Sequence, residues 1–262
     1  MTSKLLIVGN WKMHLNVHQS SVLAQHLHER IKLHRDVEVV LAPSMLALQP
    51  LSLQVDRRKF RLAAQDAFYV DEGAYTGEVS FAMLRELVHY VIVGHSERRM
   101  HFHEGLEVVR DKVAACVRND IVPILCVGET KQERRAGETK RVLHDQLTTA
   151  LSNLTSEEMN RLVIAYEPVW AIGVGDPATP DQIQEAINFV RYQVAELYGK
   201  KASQLVRVLY GASVEPEFVG GILSLEGVDG LLVGGASLNY FKFAGIVSAA
   251  ERVQHERAKQ KV

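Results

Sequence analysis

Five polar residues stand just beyond, or at the end of, short apolar runs. Asn10 and Lys12 follow Leu5–Val8, His95 and Glu97 follow Tyr90–Val93, and Glu167 follows Leu162–Tyr166. A carboxylate, an imidazole and an ammonium group, with no metal-binding spacing around them, suit proton transfer beside a carbonyl. Two further runs, Val206–Tyr210 and Gly230–Val233, are followed by Gly211 and Ser213 and by Gly234 and Gly235. Glycine turns let backbone N–H groups approach an anion closely, and a helix start behind Gly235 would add a favourable dipole. That arrangement predicts a phosphorylated substrate. Singly, each residue has a plainer reading. Lys12 would be a surface cation, His95 a capping or core histidine, Glu97 a partner of Arg98 or Arg99, Glu167 an exposed strand-end carboxylate, and Gly234-Gly235 a tight turn. Their joint placement after successive runs is what favours a site.

Two loops invite a choice. Pro168-Val169-Trp170-Ala171-Ile172-Gly173-Val174-Gly175 is apolar and glycine-containing. It reads either as a segment packed permanently on a helix or as a lid that closes over a ligand. Phe68–Gly77 carries three aromatic residues. It reads equally as a packed Ω-loop or as a protruding subunit contact. His101-Phe102-His103-Glu104 lacks zinc-site spacing, and no GxSxG or Walker A sequence occurs. No metal and no cofactor is expected.

The apolar runs that position these residues number eight: Leu5–Val8, Val37–Leu41, Phe60–Ala64, Tyr90–Val93, Ile121–Val127, Leu162–Tyr166, Val206–Tyr210 and Gly230–Val233. Short continuous runs of this kind read as strands of a parallel sheet, buried on both faces. Between them lies helical spacing. Val17–Ile31 places Val22, Leu23, Leu27 and Ile31 on one face, and Glu107–Val117 does so with Val109, Val113, Ala114 and Val117. Thr139–Leu154 carries Val142, Leu143, Leu147 and Leu151, and a helix opening at Pro180 carries Ile183, Ile187, Val190 and Val194. Alternating strands and helices predict an α/β fold with a parallel sheet covered by helices. Eight units, with no GxGxxG after the first strand, favour a closed (β/α)8 barrel over an open doubly wound sheet. No linker interrupts the series, so residues 1–262 read as one domain with a frayed polar tail at 252–262.

Composition excludes several function classes. With 47% hydrophobic residues and a net charge of −1, the 262-residue chain is neither disordered nor a general nucleic-acid or polybasic membrane binder. Cys116 and Cys126 are the only cysteines, too few for a disulfide framework. No apolar run approaches the length of a membrane span, and Met1–Asn10 lacks a signal peptide's apolar region. A soluble cytoplasmic protein is expected, with His14, His18, His26, His28 and His34 solvated on or beside a polar helix.

Specific motifs then resemble the triosephosphate isomerase family. They are Gly9-Asn10-Trp11-Lys12-Met13, Gly73-Ala74-Tyr75-Thr76-Gly77-Glu78, Val93-Gly94-His95-Ser96-Glu97-Arg98-Arg99 and Ala165-Tyr166-Glu167-Pro168-Val169-Trp170-Ala171-Ile172-Gly173. Tyr210-Gly211-Ala212-Ser213 and Leu232-Val233-Gly234-Gly235-Ala236-Ser237 complete the set, in family order over essentially the whole chain. The resemblance implies interconversion of dihydroxyacetone phosphate and D-glyceraldehyde 3-phosphate through an enediolate, in glycolysis and gluconeogenesis. It implies Glu167 as the base, His95 as a neutral electrophile and proton shuttle, Lys12 and Asn10 as stabilisers of negative charge, and Glu97 as a carboxylate near Lys12. Gly173, Ser213, Gly234 and Gly235 would cradle the phosphate, and 168–175 would be the lid that protects the enediolate. It also implies a homodimer, with Tyr75 and Thr76 reaching into the partner's site.

Three positions depart from the family pattern. Ala212 stands where glycine is common, Asp176-Pro177-Ala178 where Lys-Thr-Ala or similar is common, and Asp66 where asparagine is usual. Alternative functions are isomerisation of a longer phosphorylated ketose, such as erythrulose phosphate, and a catalytically silent barrel. The intact Asn10-Trp11-Lys12 segment weighs against the first, and the presence of Lys12, His95 and Glu167 against the second.

Overall fold

A computed structural model describes residues 4–33, 35–173 and 178–259. Its strands are β1 (Leu5–Asn10), β2 (Val37–Ala42), β3 (Phe60–Ala64), β4 (Tyr90–Val93), β5 (Val122–Val127), β6 (Val163–Tyr166), β7 (Arg207–Tyr210) and β8 (Gly230–Val233). Each pairs in parallel with the next, and β8 returns to pair with β1, closing the barrel. Closure buries both faces of every strand, which is why the runs are continuous rather than alternating. Leu6, Val8, Ile92, Cys126, Ala165 and Leu232 point into the barrel. Leu5, Ile7, Val91, Val93 and Leu125 face the surrounding helices.

The helices follow the predicted spacing. Val17–Arg30, Leu106–Arg118, Thr139–Leu151 and Pro180–Tyr198 occupy the expected segments. Thr179 caps the last of these through Gln182 N–H, and Pro180 stands in its first turn, where no N–H is needed. Two inward assignments are corrected. Val22 is 39% exposed, because its angular position falls at the edge of the stripe formed by Leu23, Leu27 and Ile31. Ala114 is only half-buried, while Ala115 and Cys116 turn into the core. The last helix, Tyr240–Lys259, carries the polar end of the chain as far as residue 259. Both cysteines are free and buried, and among the described residues no helix is long and apolar enough to cross a membrane. His14, His18 and His28 are exposed, whereas His26 is half-buried against the Tyr240 ring, 4.6 Å away; His34 lies outside the described residues.

Candidate active site

The C-terminal ends of the strands bring all the predicted groups to one end of the barrel. Asn10, Lys12, His95, Glu167, Gly173, Ser213, Gly234 and Gly235 line one cavity of about 420 Å³. Glu97 stands at its edge, with Oε1 2.6 Å from Lys12 Nζ. That contact decides between the readings of Glu97, since its partner is Lys12 rather than Arg98 or Arg99.

Lys12 is held by its backbone. Its φ is +51°, a left-handed conformation that costs a non-glycine residue about 1–2 kcal/mol. Asn10 Oδ1 accepts its N–H at 3.0 Å, and Gln65 Nε2 donates to its carbonyl at 2.8 Å and to Ala42 O at 2.9 Å. These bonds hold the turn that aims the ammonium group inward. The Lys12 Cε passes 3.5 Å from where a Cβ on Gly234 would stand, so the charge lies beside the glycine turn. Ser237 Oγ ties that turn together by donating to Gly234 O at 2.7 Å.

Glu167 is 3% exposed, not the exposed strand-end carboxylate that its position alone allows. Two glycines make room for it. A Cβ on Gly128 would stand 1.8 Å from the Glu167 carbonyl oxygen, and one on Gly211 would stand 3.1 Å from Glu167 Cγ. The carboxylate accepts Ser96 N–H at 3.2 Å on Oε2 and faces His95 Nε2 at 3.1 Å through Oε1. Burial raises its affinity for a proton, but His95, the Ser96 amide and Lys12 outweigh that and hold it below the usual carboxylate range.

His95 caps the short helix Ser96–His101, its Nδ1 accepting Glu97 N–H at 3.3 Å. The capping reading of His95 therefore holds, while its ring also lines the cavity. An acceptor at Nδ1 leaves the ring proton on Nε2, aimed at Glu167. Burial disfavours the imidazolium, but the Glu167 carboxylate and then Glu97 favour it more. In this arrangement the group titrates above the usual histidine range. The larger raising influence is the Glu167 contact, so it weakens when Glu167 leaves His95.

Of the segment read as either packed or a lid, Pro168 to Gly173 are described; Val174, Gly175, Asp176 and Pro177 lie outside the described residues. Val169–Ala171 forms a 3₁₀ turn. Ser213 Oγ donates to Ala171 O at 2.9 Å and accepts Gly173 N–H at 3.3 Å. Glu129, just after β5, has no role assigned from the sequence. It is fully buried and accepts from Trp170 Nε1 at 2.8 Å, Tyr166 OH at 3.2 Å and Arg134 Nη1 at 3.1 Å. It anchors the start of the segment that follows Glu167. The signal was available: a carboxylate directly after a buried strand needs donors, and Trp170 and Tyr166 supply them. Glu215, Asn239 and Lys242 also line the cavity without having been singled out.

The profile of the triosephosphate isomerase family matches residues 5–250. The chain belongs to the triosephosphate isomerase family. It is 45% identical to the triosephosphate isomerase of Citrifermentans bemidjiense, an alignment covering 95% of this chain and 99% of that protein. It is 42% identical to that of Thermodesulfovibrio yellowstonii over 93% and 98% of the two chains, and 43% identical to that of Caldanaerobacter subterraneus over 93% and 98%. Membership of this family makes the protein an isomerase of the (β/α)8 class and sets aside the longer-ketose and silent-barrel alternatives.

Proposed function

We propose that the protein interconverts dihydroxyacetone phosphate and D-glyceraldehyde 3-phosphate by cofactor-free proton transfer, serving glycolysis and gluconeogenesis in the cytoplasm. The observation that carries this reading is the convergence of Glu167, His95 and Lys12 on one cavity beside the glycine turns after β7 and β8. Glu167 leaves His95 to take a proton from one substrate carbon and return it to the neighbouring one. As Glu167 withdraws, burial opposes the imidazolium with only Glu97 left to offset it, which favours the neutral ring that donates Nε2–H to the substrate oxygens. Lys12 and the Asn10 amide stabilise the negative charge that develops on the enediolate. Gly173, Ser213, Gly234 and Gly235 hold the phosphate, and the lid from Pro168 excludes water. The test is isomerisation of glyceraldehyde 3-phosphate, with Glu167→Gln alongside. Loss of the base lowers kcat by about a thousandfold or more, while binding of glycerol 3-phosphate persists; near-normal turnover overturns the assignment.

We further propose a homodimer formed through the loops after β1 to β4. Met13 is 96% exposed, and Leu46, Tyr75, Met83, Met100 and Phe102 are also large apolar side chains left exposed on segments that follow these four strands. Such a concentration marks a protein-binding face. The loop is pinched at its base, where Phe68 N–H donates to Val79 O at 2.8 Å, and Tyr75 packs on Phe68 at 4.7 Å. Tyr75 and the exposed Thr76 would then reach into the partner's site.

A further inference from the structure

The cavity carries a second lysine–carboxylate couple. Lys242 and Glu215 line it together with Ser213, Gly234 and Gly235. Lys242 Nζ stands 2.9 Å from Glu215 Oε2, with both side chains partly exposed. The arrangement parallels that of Lys12 and Glu97, 2.6 Å apart. Two ammonium groups thus line one cavity, one from the loop after β1 and one from the helix after β8.

The placement of Lys242 is locally unfavourable. It sits in the first turn of Tyr240–Lys259, just after Asn239, whose Oδ1 accepts Phe241 N–H at 3.0 Å and Lys242 N–H at 3.1 Å. That first turn holds no acidic residue. A cation there faces the positive end of the helix dipole, which disfavours it, and a partly exposed ion pair returns little. Helix stability therefore does not account for Lys242. The cavity does. A helix start and a lysine together attract an anion, whereas Glu215 unpaired would repel a dianionic phosphate. An ammonium group has three donors, so Lys242 can keep Glu215 and still donate to a phosphate oxygen.

We propose that Lys242 is a substrate-positioning residue for the phosphate end of the ligand, and that Glu215 is the counter-charge that limits its pull on the phosphate. The proposal rests on the triose phosphate reading of the cavity. It is tested with Lys242→Met and Glu215→Gln in the full-length protein, by titration with glycerol 3-phosphate and by turnover of glyceraldehyde 3-phosphate and unphosphorylated glyceraldehyde. Lys242→Met weakens glycerol 3-phosphate binding by about two- to fivefold, the scale of a partly exposed charged contact. Its effect on turnover falls on KM rather than kcat. The loss of kcat/KM on glyceraldehyde 3-phosphate exceeds that on glyceraldehyde by a similar factor. Glu215→Gln tightens glycerol 3-phosphate binding. Equal losses on the two substrates, unchanged glycerol 3-phosphate affinity in Lys242→Met, or weaker binding in Glu215→Gln would each overturn the proposal. If the unaltered protein fails to isomerise glyceraldehyde 3-phosphate, the functional reading falls, yet the binding titrations still decide the role of Lys242.

Discussion

The two halves of the barrel rim are built differently. After β1 to β4 the catalytic groups are fixed by bonds between side chain and backbone: Asn10 to Lys12 N–H, Gln65 to Lys12 O, and Glu97 N–H to His95 Nδ1. Behind them lies a buried ion network in which Lys112 Nζ meets Asp66 and Glu104 at 2.7 and 2.6 Å, and Arg98 Nε meets the same two carboxylates at 2.8 and 2.6 Å. Burial holds Asp66 above the usual carboxylate range despite Lys112. After β6 to β8 the cavity is lined by glycine turns, and the segment from Pro168 to Gly173 is tied down through Ser213 and Glu129. The first half is preset by these bonds and ends in exposed apolar side chains, the face that the proposed dimer would bury. The second half presents glycine turns that, under the proposed function, the ligand would complete. On that reading proton transfer needs fixed distances, whereas phosphate capture needs a surface that can close, and one rim would supply each.

Glu167 stands between the halves, so its replacement has the largest effect: chemistry is lost while the second half still binds phosphate. Next comes the partner contact. Tyr75→Asp inserts a charge into the exposed apolar face of the first half and raises the dimer dissociation constant by about thirtyfold, the cost of losing one interface anchor. Sedimentation across a dilution series measures this. If activity follows the dimer fraction, the fixed half needs its partner. A fully active monomer would show that the first half is complete alone.

Much of this division was legible in the sequence. The continuous apolar runs gave the strand order because a closed parallel barrel buries both strand faces, and Glu167, His95 and Lys12 could be placed because each lies just past a strand. Partnerships were less legible. Nothing local shows that Glu97 chooses Lys12 over its neighbour Arg98, because that choice is made by the meeting of loops 85 residues apart. Glu129 and the Lys242–Glu215 couple were passed over for the same reason, their partners lying on other loops. Asp66 was noticed as a departure, but its two cations only became visible once the helix Leu106–Arg118 packed against the β4 loop.

The His95 ring sharpens the comparison from within the fixed half. Its elevated titration is assigned first to Glu167 and then to Glu97, working against burial. Imidazole NMR of the free protein should therefore find His95 titrating above the usual histidine range. Glu97→Gln should move it down, and Glu167→Gln further, since burial then opposes the cation with less compensation. A ring that stays neutral well below the usual range in the unaltered protein would mean that the Glu97 amide at Nδ1 dominates both carboxylates.

The smallest effect tests the half after β6 to β8. Ala212 is buried between Gly211 and Ser213, and its φ is negative, so alanine is unstrained in the conformation described here. If closing the lid requires this peptide to rotate toward positive φ, the Cβ opposes that rotation, and glycine would not. Ala212→Gly also frees the unfolded chain, at a cost of about 0.5–1 kcal/mol. That lowers Tm by about 1–2 °C in a protein of this size. The informative measurement is thus a ratio: a small loss of Tm set against a change of a few-fold in KM and in the off-rate of glycerol 3-phosphate. Equal kcat, KM and off-rate in the two proteins would show that closure does not pass through residue 212. The Gly-Ala-Ser turn would then be as preset as the loops on the opposite side of the rim.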